Sequence, residues 1–276
     1  MTGLGLGRSG RRANRADSSA VEGYRAESYG ERLADVYDDW YQGVSDVEST
    51  VAFLDEVATA TTTGRSARFL ELAVGTGRLA VPLAECGHEV TGVDVSDAML
   101  DHLRAADPQG RVTIVVGDMV DDLPPGPFDV AFVAYNSLFM LTRPDRQAAC
   151  FAAVADRLDE GGVFVVEAFV PHDPPREGSS IEIRSMTADR VVLSLTTTDP
   201  VTQQVAGQFV DLVHGESVQL RPFLLRYSTP SELDGFATAA GLRLRERWQD
   251  VGRTPFTEDS VAHLSMYERP IRSVQR

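Results

Sequence analysis

The stretch ELAVGTGRLAVPLAECGHEVTGVD, from Glu71 to Asp94, decides the fold. Its first residues complete a short strand, Arg68–Leu72, and its glycines open a turn into a helix over Gly77–Cys86 that Gly87 can terminate. Val90–Val93 then reads as a second strand. Gly75, Gly77 and Ala80 spell G-x-G-x-x-A, which also satisfies the dinucleotide-binding fingerprint. Taken alone, the pattern leaves open whether the loop holds a pyrophosphate or a ligand with no phosphate.

The alternation continues outward. Ser96 caps a helix from about Asp97 to Ala106. Val112–Val116, apolar but for Thr113, reads as a third strand, expected to be covered on both faces. Val130–Ala134 is the fourth, Arg146–Leu158 a helix closed by Gly161-Gly162, and Val163–Val170 the fifth. Five β–α alternations with short connections predict an α/β fold, a Rossmann-like doubly wound and mostly parallel sheet. Ahead of it, Leu33, Val36, Tyr37, Trp40 and Tyr41, then Val51, Leu54 and Val57 beyond Gly43, recur at helical spacing and predict two helices.

After Pro171 the rhythm changes. IEIRSM, RVVLSLTT, QVAGQFVDLVH and SVQLRPFLLRY are strand-like and separated by turn residues, which predicts an antiparallel meander with Pro222 at an edge. A helix over Ser231–Ala240 and strands over Leu242–Trp248 and Val261–Tyr267 close the chain. The expected division is a flexible tail over 1–22, an α/β domain over 23–170 and 227–276, and a β insertion over 171–226 that forms a lid or a dimer surface.

Composition narrows the partners. The formal charge of −15 opposes nucleic acid and anionic membranes and suits a neutral or cationic small molecule. All 26 basic residues are arginine, so no lysine Schiff base is available. Cys86 and Cys150, the only cysteines, are too few for a disulfide framework or a cysteine metal site, and no metal is expected. The first residues lack an apolar signal core, and no run approaches the roughly 20 apolar residues of a membrane span. A cytoplasmic protein is expected.

In an open parallel sheet, ligands bind beyond the carboxyl ends of the strands. Here those ends carry Glu71 with Gly75-Thr76-Gly77, then Asp94, then Gly117-Asp118-Met119, then Tyr135-Asn136-Ser137. Glu71 ahead of the glycine loop would oppose a pyrophosphate and favour a ligand bearing an ammonium and a sulfonium. Asp94 suits ribose hydroxyls or the capping of the next helix. Asp118 suits an adenine amino group, with Met99 and Met119 as apolar surface for the ring.

With those residues in place, the sequence resembles the class I S-adenosylmethionine-dependent methyltransferases over roughly Tyr29 to Arg269. ELAVGTGR is similar to the family's glycine motif, GVDVSDAML to its acidic ribose loop, GDM to its adenine loop and FDVAFVAYNSLFML to its fourth strand and turn. Ala73 departs from the family, which more often has glycine there. The resemblance implies S-adenosyl-L-methionine as cofactor and S-adenosyl-L-homocysteine as product. It implies that Gly75 and Gly77 pack on the methionyl part, that Glu71 orients its ammonium, that Asp94 binds the ribose and that Asp118 with Met119 reads the adenine. Ala73, Arg78, Val95, Met99, Tyr29 and Tyr135 complete the expected cofactor contacts.

Methyl transfer is an in-line displacement in which positioning supplies much of the rate. A base is optional for an amine that arrives neutral and more useful for a hydroxyl. His172, beside Asp173 after the fifth strand, and Tyr135 with Asn136 after the fourth are the catalytic candidates. Helices at the start and a meander after strand five also resemble the branch that methylates small amines, amino sugars among them, much of it in natural-product pathways. A small-molecule N- or O-acceptor is therefore expected, with a homodimer through the insertion. Two other readings stay open at this point: a non-methylating S-adenosylmethionine enzyme of the same fold, and a nicotinamide oxidoreductase.

Overall fold

The computed structural model describes residues 21–41, 46–172 and 177–271. The expected tail falls almost wholly outside these residues, as do Gly43 and Asp173. Three helices, α1 (Ser28–Leu33), α2 (Tyr37–Tyr41) and α3 (Val47–Thr62), precede strand β1 (Arg68–Leu72). Then follow α4 (Ala80–Glu85), β2 (Glu89–Asp94), α5 (Asp97–Ala106), β3 (Val112–Val116), β4 (Phe128–Val133), α6 (Pro144–Arg157) and β5 (Leu158–Phe169). The meander is β6 (Gly178–Met186), β7 (Arg190–Asp199), β8 (Gln204–Val213) and β9 (Gln219–Arg226), after which come α7 (Pro230–Ala239), β10 (Arg243–Trp248) and β11 (Ala262–Glu268).

The main sheet runs β10-β11-β5-β4-β1-β2-β3, with β1 to β5 parallel, β11 antiparallel to β5, and β10 antiparallel to β11 at the edge. From β1 the chain builds outward to β3, then returns to β4 on the other side. That reversal opens a crevice beyond β1 and β4, where an open α/β sheet takes its ligand. The central strands earn their position by alternation. Phe69, Val130 and Phe132 pack with Leu79 and Leu83 on one face, while Leu70, Leu72, Ala131 and Val133 pack with Phe151 and Phe164 on the other.

The expected α/β architecture and the meander are both present. Pro222 lies on the edge strand β9, opposite Gln208, where its missing N–H costs no ladder bond on the open side. The second sheet packs through Phe209 and Phe223 against a cluster containing Leu33 and Met99. Arg226 of β9 ties it to the main domain, donating to Gln147 at 3.2 Å and pairing with Glu232 at 2.6 Å.

Three local expectations are corrected. The first aromatic helix is two, α1 and α2, because Arg221 of β9 donates to the Arg32 carbonyl and Val36 N–H bonds Leu33 instead at 3.0 Å. Gly161-Gly162 does not close α6, which ends at Arg157 as Leu158 turns extended. The glycines instead form an irregularity within β5 opposite Phe128–Val130, where a Cβ on Gly162 would lie 2.9 Å from the Asp159 carbonyl oxygen. Finally, α4 begins at Ala80 rather than Gly77, since Gly77 has φ +82° and cannot belong to a right-handed helix.

Candidate active site

The strand ends build three adjoining spaces. A cleft over β2 and β3 is lined by Gly75, Asp94, Val95, Met99, Asp118 and Met119, with Tyr29 and Tyr37 closing it from the N-terminal helices. A small chamber behind the glycine loop holds Glu71, Ala73, Gly75, Arg78 and Tyr135. A larger cavity of about 580 Å³ lies under the meander and is walled by Tyr41, Tyr135, Phe169, Phe209, Phe223 and Glu167, among others. Tyr29, Tyr37, Ser137 and Met140 line both the cleft and the large cavity, so two ligands held there would be neighbours.

The loop after β1 is shaped by its carboxylates. Asp94 accepts the Gly75 N–H at 2.9 Å through one oxygen and the Ser96 N–H at 2.9 Å through the other, which clamps the glycine turn against the start of α5. Burial raises the Asp94 pKa, and these N–H groups oppose the rise. The two expected roles of Asp94, helix start and ligand wall, are compatible in this geometry. Glu71 is 4% exposed and its Oε2 has no hydrogen-bond partner. Burial first, then the Asp94 charge, pushes its carboxyl well above the usual range. A buried acceptor in that condition costs free energy until a donor arrives.

Gly75 and Gly77 separate into two kinds of residue. A Cβ on Gly75 would meet no atom within 4 Å, whereas one on Gly77 would fall 2.2 Å from Leu103 Cδ1 of α5. Gly77 lines neither the cleft nor the chamber; it lets the turn approach α5. Ala73 adopts φ +55°, a conformation natural to glycine, which accounts physically for the departure noted in the sequence. Tyr135 and Asn136 also have positive φ, 54° and 67°. Three strained residues at two adjacent strand ends mark the crevice.

At the other walls, Asp118 accepts from the Val120 N–H at 2.8 Å and from Arg146 at 2.7 Å, all through Oδ1. Arg78 lies over the Tyr135 ring, 5.4 Å from its centroid, and donates to the Tyr41 carbonyl at 3.1 Å. Tyr29 and Tyr41 share a hydroxyl–hydroxyl bond of 2.9 Å. Asn136 receives the Phe169 N–H on its side-chain oxygen at 2.7 Å and donates its own N–H to the Glu167 carbonyl at 3.2 Å, so it staples β4 to β5. His172 is exposed and lines none of these spaces. Among the described residues no cluster of His, Cys, Asp and Glu could hold a metal, and no helix is long and apolar enough to cross a membrane.

Sequence reasoning overlooked Glu167 and the aromatic pair Phe209 and Phe223. Glu167 had a signal: it is the lone charge in VFVVEAFV and sits at a strand end, as Glu71 does. The phenylalanines had none, since which face of β8 and β9 turns inward depends on packing against α1.

A doubly wound sheet with a cleft at its switch point, opening beside an aromatic cavity, defines an enzyme that brings a nucleoside-like cofactor to a small acceptor. The comparisons agree. Residues 69–162 match the family model described as a methyltransferase domain. The chain is 30% identical over 206 residues to the cypemycin N-terminal methyltransferase of a Streptomyces species, covering 72% of this chain and 82% of that one. It is 27% identical to the dTDP-3-amino-3,4,6-trideoxy-alpha-D-glucopyranose N,N-dimethyltransferase of Streptomyces venezuelae, over 76% and 90% of the two chains. Among solved structures, the CcbJ methyltransferase from Streptomyces caelestis superimposes with a TM-score of 0.82 at 34% identity, covering 90% of this chain and all of that one. The chain belongs to the S-adenosylmethionine-dependent methyltransferases. The oxidoreductase and non-methylating readings find no support.

Proposed function

We propose that this enzyme transfers the methyl group of S-adenosylmethionine to an amine nitrogen of a small molecule held in the cavity beneath the meander. One observation carries the reading. The charged groups lining that cavity, among the described residues, are Asp46, Glu167 and Asp250, all carboxylates, set among seven aromatic rings. Such a wall attracts a cation with an apolar body and repels an anion. That several relatives act on nitrogen, by their names, adds support.

The cofactor residues fit the ligand on two features. The unpartnered Glu71 Oε2 suits the methionyl ammonium, and the space over Gly75 suits the chain that follows it. Asp94 and Val95 would face the ribose, and Asp118, Met119 and Met99 the adenine. Arg78 and Tyr135 would close the chamber, Tyr29 the cleft, and Ala73 would shape the turn. The bound cofactor supplies an electrophilic methyl carbon on a sulfonium. The chain's task is to line up an acceptor lone pair with it and to exclude water, which Tyr29, Tyr37 and Tyr41 serve from the lid side. Phe209 of β8 and Phe223, Leu224 and Leu225 of β9 would roof the acceptor cavity, while β6 would offer an exposed face with Ile181, Ile183 and Met186 to a second copy. His172 would serve at most at the rim. The acidic charge supports a small-molecule partner rather than nucleic acid or an anionic membrane, and the free thiols of Cys86 and Cys150 suit a reducing, cytoplasmic setting.

The test is turnover with labelled methyl donor on paired acceptors, each amine beside its hydroxyl analogue, read by mass spectrometry. Amine methylation with accumulation of S-adenosylhomocysteine is expected. Methylation of the hydroxyl analogues alone would overturn the reading.

A further inference from the structure

We propose that Glu167 is the acceptor's receiving group: its carboxylate holds the ammonium of the incoming amine and takes one of its N–H protons. This rests on the amine reading above and adds to it a residue that touches the acceptor.

Glu167 ends β5 and lines the large cavity. Its Oε2 accepts the Tyr135 N–H at 3.1 Å, and among the described residues no Arg or His pairs with it. Tyr135 also lines the chamber that contains Glu71, so Glu167 stands at the junction of acceptor space and cofactor space. Of the other two carboxylates of the cavity, Asp46 has both oxygens engaged and Asp250 has one. Asp46 caps α3, with one oxygen on the Ser49 N–H at 3.0 Å and the other on its hydroxyl at 2.5 Å. Asp250 accepts the Thr254 N–H at 3.2 Å. Asp250 therefore keeps one oxygen free, as Glu167 does, but of the two it is Glu167 that is bonded to Tyr135, the residue shared with the Glu71 chamber, where the methyl must pass.

Its environment suits a base. Burial raises the Glu167 pKa, so the group accepts a proton more readily than a solvated glutamate, while the Tyr135 N–H keeps the ionised form within reach. The step balances as follows. The acceptor enters as a protonated amine; one N–H bond breaks and the proton goes to Glu167. The freed lone pair forms the N–C bond as the C–S bond of the sulfonium breaks, with that electron pair staying on sulfur. The methylated product leaves as an ammonium, and Glu167 passes its proton to solvent.

Glu167→Gln is the decisive variant, because the amide oxygen can still accept the Tyr135 N–H while losing charge and basicity. With an amine acceptor, kcat/KM is expected to fall about 100-fold, and its pH profile to shift so that activity rises only as the free amine deprotonates. Glu167→Asp should recover part of the rate. S-adenosylhomocysteine affinity should stay within about twofold, which separates loss of the acceptor site from loss of the fold. A Glu167→Gln enzyme within about threefold of wild type, with the same pH profile, overturns the proposal and leaves the amine reading standing. A second measurement does not need turnover: calorimetric binding of N,N-dimethylbenzylammonium to the S-adenosylhomocysteine complex. Tenfold weaker binding to Glu167→Gln is expected; equal binding overturns the proposal. Turnover confined to hydroxyl acceptors overturns the amine reading and this proposal together.

Discussion

Gly75 and Gly77 are two residues apart, yet alanine at each should fail in a different way. At Gly77 the new Cβ would lie 2.2 Å from Leu103 Cδ1 and 3.2 Å from Val81 Cγ2, at φ +82°. The backbone term is about 1–2 kcal/mol for an L-residue held in the left-handed region. Overpacking a filled site adds about 1–3 kcal/mol, toward the lower end because Leu103 Cδ1 ends a flexible side chain. Gly77→Ala should therefore lose about 2–4 kcal/mol of stability. Gly75→Ala carries the backbone term alone, about 1–2 kcal/mol, since nothing lies within 4 Å of its Cβ. That methyl, however, would enter the space assigned to the methionyl chain. Urea unfolding of both variants, with calorimetry of S-adenosylhomocysteine on the folded proteins, separates the cases. The expected pattern is a large stability loss with near-native affinity for Gly77→Ala, and a small stability loss with at least tenfold weaker affinity for Gly75→Ala. The reverse pattern would refute the division of roles.

Glu71→Gln should raise the melting temperature of the ligand-free protein, by removing a buried acid whose Oε2 lacks a donor, and weaken S-adenosylmethionine binding. In wild type the ammonium should lower the raised Glu71 pKa on binding, so calorimetry over a pH series in buffers of different ionisation enthalpy should show proton release that Glu71→Gln lacks. His263 is fully buried, and burial lowers its pKa from 6.5 to about 4. As pH falls below 6.5 the unfolded chain takes up this proton before the native one does, so stability is lost between pH 6.5 and 4, by about 3 kcal/mol for this group. Glu71, Asp94 and Glu167 act with the opposite sign, because raised carboxyl pKa values make the native state the better proton acceptor. The difference in urea midpoints between wild type and His263→Gln, from pH 7 to pH 5, isolates the histidine; a difference constant with pH refutes its share. Asp118→Asn should weaken S-adenosylhomocysteine binding about tenfold while costing less than about 1 kcal/mol of stability, its pair with Arg146 being partly solvated. Unchanged affinity by calorimetry would remove adenine from that position.

Much of the lining of the cleft and the small chamber was legible in the sequence. Glu71, Asp94, Asp118 and Tyr135 stand at strand ends, and strand ends follow from apolar runs broken by glycine or acid. The wall of the larger cavity was not legible. Phe209 and Phe223 come from adjacent strands of the meander, and they meet Trp40, Leu33 and Met99 only after β8 and β9 dock on the N-terminal helices. His172 and Asn136 illustrate the limit from the other side. His172 is exposed and lines none of the three spaces, whereas Asn136 lines the large cavity while its side-chain oxygen accepts the Phe169 N–H, a difference that strand position alone does not give.

By itself, then, the order of residues determined a Rossmann-like sheet, its crevice and the carboxylates that ring it, because period-two burial and strand termini are local properties of the chain. Only the tertiary structure decided that α1 breaks where Arg221 takes the Arg32 carbonyl, that Gly77 faces Leu103 while Gly75 faces open space, and that Glu167 meets Tyr135 at the junction of two cavities. Each of these joins residues from separate elements, and the register and docking that bring them together are set by packing rather than by neighbours in sequence.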